Sequence, residues 1–340
     1  MPMMNTLTLA ELSARFGVDP FPLEQVAARY PFRLTRYYAD LIQAPGDPIW
    51  RQCVPDLAEL AHDGQLTDPL DEERLSPVPG LIHRYPDRAV LLISNRCAAY
   101  CRFCMRKRQV GCGNLRFTRD PAIEYLAATP QIRDLLLSGG DPLLLPLDEL
   151  HQLLTRLQRI PHLEIIRIGS RAPVTAPDLI TPELCRMLSG HHPLYLNTHF
   201  NHPRELTPSA AQACGLLADA GIPLGNQTVL LRGVNDNQEV LAKLFTGLLR
   251  LRVRPYYLHQ MDLVRGTAHF RTPLARGMAL VAGLRGRVSG MAIPHLVVDL
   301  PGGQGKVPLL AETARQVEDG WLVQTMAGAQ VLYRDPGPTS

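Results

Sequence analysis

From Arg88 onward, short apolar segments alternate with longer amphipathic ones, and this alternation restricts the possible folds more than any other feature. The strand candidates are Ala89–Ser94, Asp134–Ser138, Leu163–Ile168, Leu194–Thr198, Leu224–Leu230, Arg254–His259 and His295–Val298. The helix candidates between them are Pro121–Ala128, Leu147–Arg159, Thr181–Ser189, Thr207–Ala220, Asn237–Leu251 and Pro273–Val288. Strands that alternate with helices predict a parallel α/β sheet. We therefore expect a partial (β/α)6 TIM-like barrel, with chemistry at the carboxyl ends of the strands.

Two segments outside this alternation have different patterns. Residues 1–80 predict a helical N-terminal region, with helices over Thr8–Tyr30 and Phe32–Ile42 broken by prolines and a turn-rich stretch at Thr67–Gly80. Residues 81–306 form the predicted barrel. Residues 307–340 predict a short C-terminal appendage with a hairpin around Trp321–Tyr333.

Composition excludes several classes of protein. The net charge of +3 is too small to indicate nucleic-acid binding. No apolar stretch approaches the roughly 20 residues that a membrane-spanning helix requires. The N-terminus shows no basic segment followed by an apolar one, so we expect no targeting peptide and a cytoplasmic location.

Three cysteines, Cys97, Cys101 and Cys104, follow the first barrel strand at C-x3-C-x2-C spacing. Structural zinc takes four closed ligands, and the nearest further cysteine, Cys112, lies eight residues beyond Cys104. Seven cysteines without a secretory signal also argue against a disulfide framework. Three thiolates on one loop instead favour an iron–sulfur cluster with one iron left open. The remaining cysteines read as ordinary thiols.

A second motif, Ser138-Gly-Gly-Asp-Pro142, follows the second barrel strand. Glycines let a backbone approach a ligand closely, although an ordinary strand-to-helix turn has the same composition. Together with the cysteine loop, the motif resembles the radical S-adenosylmethionine superfamily. The resemblance implies a [4Fe-4S] cluster whose open iron binds S-adenosylmethionine and whose electron releases a 5′-deoxyadenosyl radical. It also implies that Gly139, Gly140 and Asp141 contact this cofactor.

A third motif, Pro301-Gly-Gly-Gln-Gly-Lys306, follows the last strand candidate. It is not a phosphate-binding P-loop, because Leu300 replaces the first glycine and Val307 replaces the required Ser or Thr. A lysine on a glycine-rich loop can form a Schiff base with an aldehyde cofactor, and an exposed surface lysine is the alternative.

With the radical motifs, the chain from Asp47 to Leu310 resembles the lysine 2,3-aminomutase family. The resemblance implies that Lys306 binds pyridoxal 5′-phosphate covalently. The further cofactor-binding residues that it implies are Arg84, Arg88, Gln227 and His199. Longer family members carry a C-terminal zinc site, which we expect to be absent here because no cysteine follows Cys214.

The resemblance also assigns the substrate contacts. Arg106 matches the arginine that binds the substrate carboxylate, and Asp262 and Asp299 match two aspartates that bind the distal ammonium of lysine. An ammonium removed from water needs compensating charge, whereas two facing carboxylates without a cation repel each other. The related glutamate 2,3-aminomutases lack this acidic pair, so the resemblance disfavours glutamate as the substrate. Arginine also has a cationic side chain and stays open.

The expected activity is isomerisation of L-lysine to β-lysine by 1,2-amino migration, with the substrate held as an external aldimine of pyridoxal phosphate. The alternative is the related branch that makes β-lysine for attachment to translation elongation factor P. We expect a small amino acid substrate and an electron donor such as flavodoxin or ferredoxin. A homo-oligomer is left open.

Overall fold

A nine-stranded sheet organises the chain, and its seven central strands run parallel in the order in which they occur in the sequence. These strands are β4 (Arg88–Ser94), β5 (Asp134–Gly139), β6 (Ile165–Gly169), β7 (Leu194–Thr198), β8 (Leu224–Leu230), β9 (Val253–Gln260) and β10 (His295–Leu300). The computed structural model describes residues 4–62, 64–113, 119–310, 314–318, 320–325 and 329–333. The predicted partial barrel is confirmed.

Helices cover the connections between the parallel strands. They are α5 (Arg119–Ala127), α6 (Leu147–Gln158), the short α7 (Ala172–Thr175), α8 (Pro182–Ser189), α9 (Pro208–Asp219), α10 (Gln238–Arg250) and α11 (Leu274–Leu284). The hydroxyls of Thr181 and Thr207 accept N–H bonds from the first turns of α8 and α9, and a proline follows each cap. Both predicted helix starts are confirmed.

The apolar stripe of each helix packs against the sheet. In α10, Leu241, Leu244, Phe245 and Leu248 are fully buried. Their spacing of three or four residues places them on one face of the helix. Burying each such side chain contributes roughly 1.5–3 kcal/mol, so the paired layers of helix and sheet supply the main stabilisation.

The N-terminal region is helical with a small strand pair. It contains β1 (Thr6–Leu7), α1 (Leu9–Phe16), α2 (Pro20–Arg29), β2 (Leu34–Thr35), α3 (Arg36–Ala39) and α4 (Pro48–Cys53). The predicted helix over Phe32–Ile42 is wrong at Leu34 and Thr35, because these residues pair with β1. Thr35 also donates a hydrogen bond to the carbonyl of Thr175, 2.5 Å away, which fastens this region to the barrel.

Two antiparallel strands lie at the ends of the large sheet. β3 (Leu81–Tyr85) pairs with β4, and β11 (Gly305–Pro308) pairs with β10. These two ends meet: the main-chain N–H of Lys306 in β11 donates to the hydroxyl of Tyr85 in β3, at 2.7 Å. We call this contact between β3 and β11 the seam of the barrel. The seam places Lys306 next to β3, at the start of the large sheet.

The C-terminal segment forms a separate three-stranded antiparallel sheet of β12 (Ala314–Val317), β13 (Gly320–Gln324) and β14 (Gln330–Tyr333). The predicted hairpin corresponds to β13 and β14, where Trp321 pairs with Tyr333. Residues 311–313, 319, 326–328 and 334–340 of the predicted appendage lie outside the described residues. The predicted domain limits stay a prediction, and β11 extends across the limit at residue 306.

Within the described ranges, the model has no helix that is both long and apolar enough to cross a bilayer.

Candidate functional site

The cysteine loop lies directly after β4. Its three thiols are partly buried, and they lie close enough for the charge of one to raise the pKa of another. Burial, the charge of Asp141 and the two other thiols raise the pKa of Cys97 well above its usual value. Burial and then Cys101 raise the pKa of Cys104 to about 11. The thiolate forms of Cys97 and Cys104 are therefore disfavoured in the protein alone, and the irons of an iron–sulfur cluster would supply the positive charge that stabilises them.

No trio of His, Cys, Asp or Glu side chains in the described chain converges tightly enough to hold a single metal ion. In a cluster each thiolate binds a different iron, so the three thiols need not converge on one metal ion. Cys112 is not part of the trio, because its thiol points to the carbonyl of Val110, 3.8 Å away. The donor set Cys97, Cys101 and Cys104 thus fits a [4Fe-4S] cluster with one open iron.

The glycine turn after β5 packs against the start of the cysteine loop. Gly139 has φ of 117°, and a Cβ there would lie 2.3 Å from the carbonyl oxygen of Ser94. A Cβ on Gly140 would lie 2.4 Å from the carbonyl oxygen of Arg96. Both glycines are therefore required by the protein's own backbone, and their contact with S-adenosylmethionine stays a prediction.

The carboxylate of Asp141 binds the loop that follows β6. It accepts hydrogen bonds from the hydroxyl of Ser170 at 2.7 Å and from the main-chain N–H of Arg171 at 2.8 Å. It also caps the turn at Leu143. Burial raises the pKa of Asp141 despite these bonds. Asp141 thus holds neighbouring strand ends together, and its predicted cofactor contact is untested.

His199 follows β7, at the end of the sheet where the cysteine loop lies. Burial, and then the positive charge of Arg171, lower the pKa of His199 well below its usual value. Its Nε2 lies 3.1 Å from the side-chain oxygen of Asn201, and its ring lies 5.5 Å from the ring of Phe103. His199 therefore lies beside the cysteine loop, as the predicted adenosyl contact requires.

Lys306 lies at the other side of the site, on β11. The strand register places it opposite Asp299, and its ammonium forms an ion pair with that carboxylate. Its Nζ also lies 3.1 Å from Nδ1 of His259. Gly305, directly before the lysine, has φ of 101°, a backbone conformation that favours glycine.

Asp299 and Asp262 form an acidic pair with unlike protonation. Burial opposes ionisation of Asp299, but hydrogen bonds from His259 and Lys306 hold its pKa well below the usual range. Burial, and then the charge of Asp299, raise the pKa of Asp262 to about 7. A second cation placed between the two carboxylates would favour ionisation of both.

Arg106 is held in place by a residue that the sequence did not indicate. Its guanidinium bonds Glu72 through Nε at 3.1 Å and Nη2 at 2.7 Å, and Ser138 through Nη1 at 3.2 Å. These contacts use three of the five N–H donors of the guanidinium. Arg106 therefore has donors left for a substrate carboxylate, and Glu72 fixes its orientation. Glu72 lies in the turn-rich stretch, where no local pattern distinguishes it.

Arg84 and Arg88 flank Tyr85 at the seam. Arg84 donates to Asp299 at 3.2 Å, so it contacts the acidic pair rather than standing free for a phosphate. Arg88 stacks over the ring of Tyr85, 4.0 Å from its centroid, and its side chain is 42% exposed. Of the two, Arg88 has the more accessible cation for the predicted cofactor phosphate.

Gln227 lies in the middle of β8 and is half-buried, beside Tyr257 in the strand register. A register shift between Asn226 and Gln227 marks a bulge at this point. The unpaired residue of this shift is Tyr256 of β9, so the irregularity lies on the strand that faces Gln227.

Two further residues join the site without having been predicted. His259 contacts Lys306, and its Nε2 is buried without a partner among the described residues. Burial, and then the charge of Lys306, lower the pKa of His259. Arg171 donates from Nη1 to the sulfur of Cys101 at 2.8 Å. His259 and Arg171 each lie at or just after the carboxyl end of a parallel strand. That position in the sequence was the one feature that could have marked them as site residues.

The chain matches two family models. Residues 91–245 match the Radical SAM superfamily, and residues 281–337 match the family described as Lysine-2,3-aminomutase. It is 51% identical over 310 residues to an L-lysine 2,3-aminomutase of Fusobacterium nucleatum, covering 89% of this chain and 73% of the relative. It is 49% identical over 310 residues to the Clostridium subterminale enzyme of that name, covering 89% and 74%. It is also 42% identical over 319 residues to a glutamate 2,3-aminomutase of Clostridioides difficile, covering 92% and 76%.

Proposed function

The chain belongs to the lysine 2,3-aminomutase family of radical S-adenosylmethionine enzymes, and from this premise we propose that it isomerises L-lysine to β-lysine. The activity is a 1,2-amino migration. Its cofactors are a [4Fe-4S] cluster, S-adenosylmethionine and pyridoxal 5′-phosphate.

The acidic pair of Asp262 and Asp299 is the observation that supports lysine as the substrate. Overall identity does not decide it, since the chain is similar to relatives named for lysine and for glutamate. Asp299 is ionised beside Lys306, and the pKa of Asp262 lies at about 7. A cationic side chain is attracted to this pair, whereas the carboxylate of glutamate is repelled. The pair therefore supports lysine as the substrate.

The cofactors would supply the radical that starts the reaction and a π system that delocalises the unpaired electron while nitrogen moves between the substrate carbons. The protein supplies positioning. We propose that Cys97, Cys101 and Cys104 hold the cluster, and that Arg106 binds the substrate carboxylate in the orientation set by Glu72. Asp262 and Asp299 then hold the distal ammonium of the substrate.

Lys306 must lose a proton before its Nζ can attack an aldehyde. Nδ1 of His259 lies 3.1 Å from that Nζ, so in the tautomer whose hydrogen lies on Nε2, rather than on the Nδ1 facing Asp299, the imidazole is placed to relay the proton away from Nζ. Asp299 pairs with the ammonium before this transfer and keeps it oriented. Together with the buried surroundings, these contacts position the reacting groups and limit the access of water.

We further propose a low-potential electron carrier, flavodoxin or ferredoxin, as the partner that reduces the cluster, and a cytoplasmic location. The cluster's need for an electron supports the first proposal. These proposals are tested by reconstituting activity with each carrier and by fractionating cells.

The function is tested by incubating anaerobically reconstituted enzyme with lysine, arginine or glutamate and analysing the products by mass spectrometry and chiral chromatography. We expect β-lysine from lysine and no β-glutamate. Lys306→Ala should lose activity together with the visible absorbance of its bond to pyridoxal phosphate. Turnover of arginine or glutamate in place of lysine would overturn the substrate assignment. The chirality of β-lysine decides between the free-lysine enzyme and the elongation factor P branch.

A further inference from the structure

We propose that Arg171 is a positioning residue that raises the reduction potential of the iron–sulfur cluster through a charge-assisted hydrogen bond to Cys101. The bond joins Nη1 of Arg171 to the sulfur at 2.8 Å. The proposal rests on the cluster part of the proposed function and is independent of the substrate.

The guanidinium is fixed on all sides by buried groups, so its direction toward the sulfur is set by the fold. Nε and Nη2 donate to the carbonyl of His199 (3.1 Å), the hydroxyl of Tyr38 (2.9 Å), the side-chain oxygen of Gln52 (2.6 Å) and the carboxylate of Glu205 (2.8 Å). Arg171 is only 9% exposed. These partners come from the N-terminal region and from the segment after β7, and they leave Nη1 for the cysteine.

Sulfur is a weak hydrogen-bond acceptor as a thiol, but a metal-bound thiolate carries negative charge. A buried arginine with a purely structural role would be satisfied by oxygen. Arg102 of the same loop shows this: it is 2% exposed and donates to Glu59 at 2.6 Å and to the carbonyl of Pro31 at 2.9 Å. Arg171 instead directs a donor at Cys101, which indicates that the acceptor is a charged cluster ligand.

The effect on the cluster has a definite sign. One-electron reduction adds a negative charge to the cluster without making or breaking a bond, and the electron comes from a low-potential one-electron reductant. A cation hydrogen-bonded to a ligand sulfur stabilises the more negative state, and such bonds are among the factors that set cluster potentials. Arg171 therefore makes the cluster easier to reduce.

The test is an anaerobic reductive titration of reconstituted full-length protein with dithionite, without S-adenosylmethionine or lysine, followed by electron paramagnetic resonance. Arg171→Gln should lower the equilibrium constant for reduction about tenfold, equivalent to roughly 59 mV for one electron. Arg171→Lys keeps the charge but loses the planar fork, so its decrease should be smaller. Arg252→Lys is the control, because Arg252 pairs with Asp219 on the surface, and it should leave the potential unchanged.

A second measurement covers the case in which Arg171→Gln fails to hold a cluster. Wild-type protein labelled with guanidino-15N-arginine should show a 15N coupling to the reduced cluster by electron–nuclear double resonance, and Arg171→Lys should lose it. Absence of this coupling in the wild type, or an unchanged potential in a cluster-containing Arg171→Gln protein, would overturn the proposal. The expected potentials combined with no turnover of lysine would support Arg171 and overturn the substrate assignment instead.

Discussion

At the scale of single residues, the site keeps two carboxylates close together in different protonation states. Asp299 is ionised because His259 and Lys306 bind it, and Asp262 resists ionisation because it is buried beside Asp299. Because the pKa of Asp262 is about 7, the charge of the pair changes with pH near neutrality. Binding of a cationic substrate and ionisation of Asp262 are therefore linked.

This linkage predicts how lysine binding depends on pH. The pKa of Asp262 is about 7, so its carboxylate becomes charged as the pH rises from 6 to 8, and the apparent KM for lysine should fall over that range. Asp262→Asn should raise KM by about 10-fold or more at pH 8, the scale of a lost charged hydrogen bond, and flatten the profile. Steady-state kinetics at fixed S-adenosylmethionine measure both effects. An unchanged pH profile in the variant would remove Asp262 from the ammonium site.

The raised pKa of Asp262 also affects the stability of the fold. Ionisation of this carboxyl favours substrate binding but disfavours the folded state. Because the pKa of Asp262 in the folded protein lies above the ordinary value of 3.8, the folded state binds the proton more tightly than the unfolded state. This carboxylate therefore lowers stability increasingly as the pH rises from about 4 to about 7. Asp262→Asn should consequently melt at a higher temperature than the wild type at pH 8, and the difference should shrink at pH 5.

At the scale of elements, the seam between β3 and β11 decides where Lys306 lies. The hydroxyl of Tyr85 accepts the main-chain N–H of Lys306, and Arg84 reaches across to Asp299. β11 has only four residues, and this contact adds to its pairing with β10. The position of the lysine thus depends on a hydroxyl more than 200 residues earlier in the chain.

Removal of that hydroxyl should loosen the strand. Tyr85→Phe leaves the N–H of Lys306 without its acceptor, at a cost of about 1–3 kcal/mol, which corresponds to a loss of pyridoxal phosphate affinity of about tenfold or more. Fluorescence titration with the cofactor measures the change. Tyr195→Phe is the matched control, since Tyr195 is an exposed residue of β7. Equal affinity in the Tyr85 variant and the wild type would show that the seam does not position Lys306.

The parallel strands could be predicted to within a few residues, because buried strands are continuous apolar runs. The short edge strands could not. β2 is defined by its pairing with the remote β1, whereas β3 and β11 are short antiparallel strands beside β4 and β10 that the alternation of strands and helices does not include. Lys306 was expected in a loop rather than opposite Asp299. For the same reason the cysteines and Lys306 were recognisable from local motifs, whereas Glu72, Arg171 and His259 were not. Their roles arise from contacts that span between 34 and 70 residues of sequence.

At the scale of the whole molecule, the N-terminal region holds the residues around the proposed cluster in place. Gln52 and Tyr38 bind Arg171, and Glu59 holds Arg102 and Lys107 of the cysteine loop. The charge of the loop is therefore balanced by the first 80 residues. Cluster, loop and N-terminal helices should behave as one cooperative unit.

Removal of the cluster should reveal this unit. A ligand that binds only the folded state stabilises it, so cluster-free protein should melt at a lower temperature than reconstituted protein. Hydrogen exchange should increase in the cysteine loop and in α4, which carries Gln52, and change little in α10, which packs on β9 and α11. Uniform loss of protection, with α10 affected as strongly as the loop, would contradict the proposed local coupling.

The seam also bears on how the enzyme is made. Cys104 precedes Lys306 by 202 residues, and at 5–20 residues per second the ribosome needs roughly 10–40 s to synthesise that stretch. The iron-binding loop and Tyr85 thus exist well before the strand that must dock against them. The order of synthesis therefore allows iron to bind while the barrel is incomplete. The aldehyde cofactor can reach its lysine only after β11, the last strand of the large sheet, has been made.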